Sequence, residues 1–225
     1  LKTVGKVKKS QTGTRVRFWA DFQIFPATAA FSWEDLLARA RQTAFLVPGL
    51  TINCYDERGE EELRESFRFD GGVVDFANWL ASDGPVTDTW HITGEGTYNE
   101  TVQALDSKTG HLRATEVERT CEVDIALRWG IGYDTIVQSF VNIIATPKGG
   151  THVTGFEQAV LKTLRAAIDK NARKLKVGAK DGRPEKDDVQ AGMTAVITVR
   201  FPEPQFEGQT KETLGTPQIR AVVNR

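Results

Sequence analysis

The stretch CEVDIALRWGIGYDTIVQSFVNIIATPKGGTHVTGF, residues 121–156, contains in order the patterns of a strand, a turn, a second strand, a loop and the start of a helix. Apolar side chains occupy every second position of residues 121–129, which is typical of a half-buried strand. The turn GIGYD then predicts that residues 134–142 return beside that strand as a hairpin. Apolar residues keep a helical period over residues 153–176, so we expect the longest helix there.

Upstream of this stretch the patterns predict further strands and helices. The alternation in TRVRFWA, residues 14–20, indicates a half-buried strand. Ser32 followed by Asp35 resembles a capping box and predicts the start of a helix. Two strands are expected over residues 50–55 and 62–69, joined through DERGE as a hairpin-like turn. A short helix is expected after Gly71-Gly72 and a further strand over residues 87–98.

Downstream, a polar loop over residues 178–187 leads to a strand of β-branched character over residues 194–201. The segment PEPQFEGQTKETLG, residues 202–215, is expected to be irregular because its prolines remove backbone donors. Thr216 and Pro217 then predict the N-cap and first residue of a terminal helix. The mixture of strands and helices predicts an α+β fold.

The composition is that of a globular protein of 225 residues, with 40% hydrophobic residues and a net charge of -1. A chain-wide basic surface for nucleic acid is therefore excluded, and any such surface must come from local segregation of charge. Cys54 and Cys121 lie in apolar strand patterns, which indicates buried reduced thiols in a cytoplasmic protein. His91, His111 and His152 lack ligand spacing, so we predict no metal site. No apolar run is long enough to span a membrane, and the start at Leu1 suggests a piece of a longer protein.

Three segments could carry chemistry, and each has a purely structural alternative. In PEPQFEGQTKETLG, the Lys211 ammonium and the Gln209 amide could bind a terminal phosphate, although a lone loop lysine is more often a solvated surface residue. The loop ATPKGGTH, residues 145–152, could hold an anion at a helix N-terminus or be a plain turn. The long helix carries a basic face that is either solvated or a contact for nucleic-acid phosphates. Its candidate residues are Lys162, Arg165, Lys170, Arg173 and Lys174.

Six segments together resemble the B subunits of the bacterial type IIA DNA topoisomerases, DNA gyrase and topoisomerase IV. The pair GGTH-x-x-GF and P-x-F-x-x-QTK is highly specific for that family, and EGQTK with TPKGGTH looks closer to an actinobacterial type. The matching segments are TGTRVRFWAD at 12–21, AFLVPGLTINCYDER at 44–58, FRFDGGVVDFANWL at 67–80, SFVNIIATPKGGTHVTGF at 139–156, DDVQAGMTAVITV at 187–199 and PEPQFEGQTKETLG at 202–215.

The resemblance implies two domains. Residues 1–22 would be the C-terminal remnant of a GHKL ATPase domain, and residues 23–225 would be a transducer domain. The implied transducer fold is like domain 2 of ribosomal protein S5, with a mixed sheet and a left-handed βαβ crossover. This chain differs from many relatives in the run Asn142-Ile143-Ile144 and in Lys148, where many relatives have an N-N-I run and an acidic residue.

The resemblance also implies function and partners. Thr14 would lie near the adenine of ATP, and Gln209 and Lys211 would reach its γ-phosphate. ATP and Mg2+ would be the cofactors of the full-length enzyme, most of whose ligands lie outside this chain, and the chain alone is expected to be inactive. The implied partners are DNA, a second copy of the B-type chain as homodimer, and the A-type chain in an A2B2 heterotetramer. Two alternatives stay open, namely a nucleic-acid-binding S5-like module without ATP linkage and a MutL-type transducer.

Overall fold

The structure is a computed structural model that describes residues 5–6, 8–26, 28–105, 111–178 and 180–225. Residues 1–4 and 7 of the expected ATPase remnant, and residue 179 of the expected polar loop, lie outside these described residues. In chain order the elements are α1 (Trp33–Leu46), β1 (Ile52–Asp56), β2 (Leu63–Phe67), α2 (Val73–Leu80), β3 (Trp90–Leu105), β4 (Leu112–Trp129), β5 (Ile136–Val141), β6 (Ile144–Ala145), α3 (Thr151–Leu175), α4 (Lys186–Gln190), β7 (Met193–Arg200) and α5 (Gln218–Val223).

A five-stranded mixed sheet of order β3-β4-β7-β5-β6 forms the centre of the fold. β4 pairs antiparallel with β3 and β7, whereas β5 runs parallel to β7. α3 lies in the connection from β5 to β7, so these elements form the crossover unit that the family resemblance implies. The predicted α+β fold with a mixed sheet is confirmed, and the left hand of the crossover stays a prediction.

The predicted hairpin between residues 121–129 and 134–142 is wrong, because β7 lies between β4 and β5. Seven of the eight residues of β7 are buried, without the alternation of a one-sided strand. Such a strand is most stable between two neighbours with both faces covered. The GIGYD turn therefore passes the start of β7, where Gly130 N–H donates to the Gly192 carbonyl at 2.9 Å.

Helices cover both faces of the sheet. On one face, α3 and α5 pack through Phe156 and Ile219 against Ile125 and Ile197. On the other face, α1 and α2 bring Phe45 and other apolar side chains against the sheet. This second layer agrees with the sequence, since Ser32 caps α1 by accepting the Asp35 N–H at 3.1 Å, and β1 and β2 form the expected antiparallel pair.

The predicted strand over residues 14–20 is wrong, because these residues have no regular secondary structure. Val16, Phe18 and Trp19 are 80%, 67% and 75% exposed. A strand needs a neighbour for its backbone groups, and no strand of the described chain pairs with this segment. Within the described residues, no helix is both long and apolar enough to cross a membrane.

The terminal helix begins later than the sequence indicates. α5 starts at Gln218, after Pro217, and the Thr216 side chain does not cap it. The Thr216 hydroxyl instead accepts the Gln205 N–H at 3.0 Å, and its carbonyl accepts the Thr151 hydroxyl at 2.8 Å. Thr216 therefore joins the irregular segment before it to the start of α3.

Candidate functional site

The two loops that the sequence singles out lie against each other. We call residues 146–150 the glycine loop and residues 202–215 the QTK loop. Two backbone hydrogen bonds join them, from Lys148 N–H to the Glu212 carbonyl at 3.1 Å and from Leu214 N–H to the Gly149 carbonyl at 3.0 Å. A third, from Thr151 N–H to the Leu214 carbonyl at 3.1 Å, joins the QTK loop to the first residue of α3. The base of the QTK loop is thereby fixed to the start of α3.

This close approach requires glycine at position 150. Gly149 and Gly150 have φ values of 73° and 130°, which favour glycine. A Cβ atom on Gly150 would lie 2.4 Å from the Leu214 carbonyl oxygen and 2.5 Å from its nitrogen. Since the Lys148, Gly149 and Thr151 amides all donate to protein carbonyls, the glycine loop is a structural turn rather than an anion cradle.

A buried polar cluster links the start of the glycine loop to β5 and to α3. His152 is fully buried, and burial lowers the pKa of its imidazole to about 4, so the ring is neutral. Its Nε2 lies 3.2 Å from the Thr146 hydroxyl, which lies 2.8 Å from the Ser139 hydroxyl on β5. Sequence reasoning missed this cluster, because its three residues are polar and come from a strand, a loop and a helix.

Lys211 lies at the exposed tip of the QTK loop. Its φ of 58° is in the left-handed region, and Gly208 reverses the chain just before it with a φ of 86°. The Lys211 Nζ is 5.9 Å from the centroid of the Phe206 ring. Among the described residues, neither its ammonium nor the Gln209 amide has a hydrogen-bond partner. The tip thus presents a lysine and a glutamine to solvent from an anchored base.

Glu212, next to Lys211, is engaged by the glycine loop. Its Oε2 lies 2.7 Å from the Lys148 Nζ and accepts the Thr210 hydroxyl at 3.1 Å. These two hydrogen bonds, chiefly the one from Lys148, lower the pKa of the Glu212 carboxyl. Sequence reasoning missed this ion pair because its partners are 64 residues apart and meet only when the loops dock.

The other predicted site residues lie apart from this arrangement. Thr14 is exposed in the irregular N-terminal segment and makes no hydrogen bond within the described chain. On α3, Arg165 is half-buried and its Nε donates to the Pro184 carbonyl at 2.9 Å. Its Nε–H is therefore already hydrogen-bonded within the chain. The remaining basic candidates are exposed, and they are Lys162, Lys170, Arg173 and Lys174.

Comparisons with known proteins point to one family. A family model described as DNA gyrase B matches residues 72–225. Among curated proteins, the chain is 37% identical over 96% of its length to the DNA gyrase B protein of Streptomyces coelicolor, and 33% identical over its whole length to that of Treponema denticola. It spans 31% and 32% of those two proteins, which is about a third of their length.

A solved structure shares the fold over most of the chain. The 43K ATPase domain of Thermus thermophilus gyrase B, in complex with an aminocoumarin, superimposes with a TM-score of 0.63. That alignment has 28% sequence identity and covers 91% of this chain and 48% of the other. The mixed sheet and its helices therefore have a counterpart of known structure.

Proposed function

This chain belongs to the DNA gyrase B family, and we propose that it is the transducer part of a type II DNA topoisomerase B subunit that hydrolyses ATP. The proposal covers gyrase and topoisomerase IV alike. Residues 23–225 would form the transducer domain, and residues 1–22 the end of a GHKL ATPase domain. The described residues before α1 are exposed and the packed core begins with α1, which supports an N-terminal segment separate from the core. The boundary at residue 22 is the one that the family resemblance implies.

The observation that carries the proposal is the placement of Lys211. The loop base is fixed by backbone bonds to the glycine loop, while the tip holds the Lys211 ammonium in solvent without a carboxylate partner in the described chain. A lysine presented in this way suits a ligand oxyanion brought by another domain. Together with the QTK motif, this supports assigning Lys211 to the γ-phosphate of ATP, with Gln209 as a neutral donor beside it.

Phosphoryl transfer depends mainly on charge placed where the γ-phosphate develops negative charge. Lys211 would supply such a charge and would also sense the nucleotide, since its partner is lost when phosphate leaves. Loss of that contact would release the transducer to move relative to the ATPase domain, which is a ligand-controlled shift between two states. ATP turnover would thereby be coupled to the passage of DNA.

The nucleotide pocket itself would lie mostly outside this chain. Thr14 is proposed to lie near the adenine, as its TGT motif implies. The described residues contain no group of three or more His, Cys, Asp or Glu side chains that could hold a metal ion. Mg2+ would bind with the nucleotide through ligands that lie mostly outside this chain, and we derive no step through that ion. The isolated 225-residue chain should not hydrolyse ATP.

The partners are part of the same proposal. The exposed basic residues of α3 would contact DNA phosphates, without base specificity and with strong salt dependence. They are Lys162, Lys170, Arg173 and Lys174. Arg165 would contribute less because its Nε is bound to Pro184. The full-length protein would act as a homodimer together with the A-type chain of the topoisomerase.

The test is the Lys211→Ala variant of the full-length protein. We expect kcat for ATP to fall about a hundred- to a thousandfold or more, with KM little changed, because losing even one neutral donor to a charged transition state has an effect of that size. Lys211→Arg should not rescue it, because a planar guanidinium replaces a compact ammonium. Gln209→Ala, the matched loss of a neutral donor, should do less harm. Near-normal turnover by Lys211→Ala would refute the proposal.

A further inference from the structure

Glu212 is a potential competitor for Lys211. A carboxylate directly after an exposed lysine can pair with it, and it also repels any phosphate that approaches the same loop. In this structure the Glu212 carboxylate turns instead to the glycine loop, where its Oε2 lies 2.7 Å from the Lys148 Nζ. The competitor is thus already engaged.

The backbone of the loop tip separates the two side chains. Thr210 donates its hydroxyl to Glu212 Oε2 at 3.1 Å, so Thr210 and Glu212 share one side of the loop. Lys211, between them, has a left-handed φ of 58° and holds its Nζ near the Phe206 ring. The conformation that brings Glu212 to Lys148 is therefore the same one that leaves Lys211 without a carboxylate.

We propose that Lys148 is a positioning residue for ATP hydrolysis, which neutralises Glu212 and keeps Lys211 available for the γ-phosphate. This inference rests on the proposed role of Lys211. Lys148 does not touch the nucleotide; it acts through Glu212. Both partners are partly exposed, with 69% of the Lys148 side chain and 36% of the Glu212 side chain accessible, so the pair adds little to stability. Its effect is on the charge that Lys211 and the phosphate experience.

The experiment is a double-mutant cycle in the full-length protein, read out as kcat and KM for ATP. Lys148→Ala should lower kcat roughly two- to fivefold, the range of a single exposed ion pair, with KM changed less. Glu212→Gln removes the competitor and should leave kcat near the wild-type value. The double variant Lys148→Ala, Glu212→Gln should also have a kcat near the wild-type value, because no Glu212 carboxylate is left for Lys148 to neutralise.

The rescue by Glu212→Gln separates this role from two others. If Lys148 merely fastened the two loops, or touched the phosphate itself, the double variant would be at least as impaired as Lys148→Ala. Lys148→Arg keeps the charge and should retain activity, whereas Lys148→Glu should lower kcat further than Lys148→Ala. Wild-type turnover in Lys148→Ala, or a double variant without rescue, would overturn the inference.

Lys211→Ala, assayed alongside, keeps the two proposals distinguishable. If Lys211→Ala retains turnover, the proposed function itself is wrong, whatever the Lys148 variants do. If Lys211→Ala loses turnover and the Lys148 cycle shows no coupling, only the positioning role of Lys148 is wrong.

Discussion

Gly150→Ala should break the junction between the glycine loop and the QTK loop. The added Cβ would lie within 2.4 to 2.9 Å of three backbone atoms of Leu214, none of which can swing aside as a side-chain end could. Leu214 is itself fully buried, so the loops must move apart. Overpacking of this kind costs about 1 to 3 kcal/mol, and a non-glycine residue at a φ of 130° costs about 1 to 3 kcal/mol more.

One movement of the glycine loop would relieve part of the overpacking and part of the backbone strain at the same time. We therefore expect a loss of about 2 to 5 kcal/mol in the free energy of unfolding. With a denaturant slope of about 2 to 3 kcal/mol per M, urea unfolding of the 225-residue chain should move its midpoint down by about 1 to 2 M. The matched control is Gly182→Ala, whose Cβ meets no atom within 4 Å. A Gly150→Ala midpoint within about 0.3 M of the control would refute the reasoning.

Other predictions concern charge and turnover. The pKa of His152 is about 4 in the folded chain against 6.5 for a free imidazole, so the unfolded chain takes up the proton first as pH falls. The free energy of unfolding should therefore be highest above pH 6.5 and should fall by at most about 3 kcal/mol as pH is lowered from 6.5 through 4. In urea unfolding, His152→Gln should reduce this dependence of the free energy of unfolding on pH. Lys170→Glu with Arg173→Glu should reduce DNA stimulation of the full-length ATPase and spare the basal rate, and unchanged stimulation would count against α3 as a DNA contact. The purified 225-residue chain should show no ATP turnover in a phosphate-release assay. Turnover would contradict the proposal that most of the nucleotide pocket lies outside this chain.

Local patterns in the sequence predicted most of the individual elements. The Ser32 cap, the β1–β2 pair and the buried strand β7 each depend on neighbouring residues, which a single sequence displays. The order of the strands was not predictable in the same way. The turn after Trp129 has the length and glycines of a hairpin, and nothing within it reveals that β7, from beyond the long helix, pairs between its two arms.

In the candidate site, too, the local motifs could be predicted from the sequence and the long-range contacts between them could not. The QTK motif identified Gln209 and Lys211 by resemblance, and the glycines of the other loop were visible as a break before a helix. Their docking was not, because it depends on the approach of Gly150 to Leu214, 64 residues later. The Lys148–Glu212 pair is a consequence of that docking, so it too needed the folded chain.

Chemical labelling of the full-length protein with an ATP analogue that carries an acyl group on its γ-phosphate tests the central claim most directly. Such a reagent transfers its acyl group to the lysine amine that contacts the terminal phosphate. Peptide mass spectrometry should find Lys211 acylated, with protection by excess ATP. It should find no ATP-protected labelling of Lys148, because Lys148 does not touch the nucleotide in this account. ATP-protected labelling of Lys148 or of other lysines, with Lys211 unmodified, would contradict the role of Lys211 as the γ-phosphate contact.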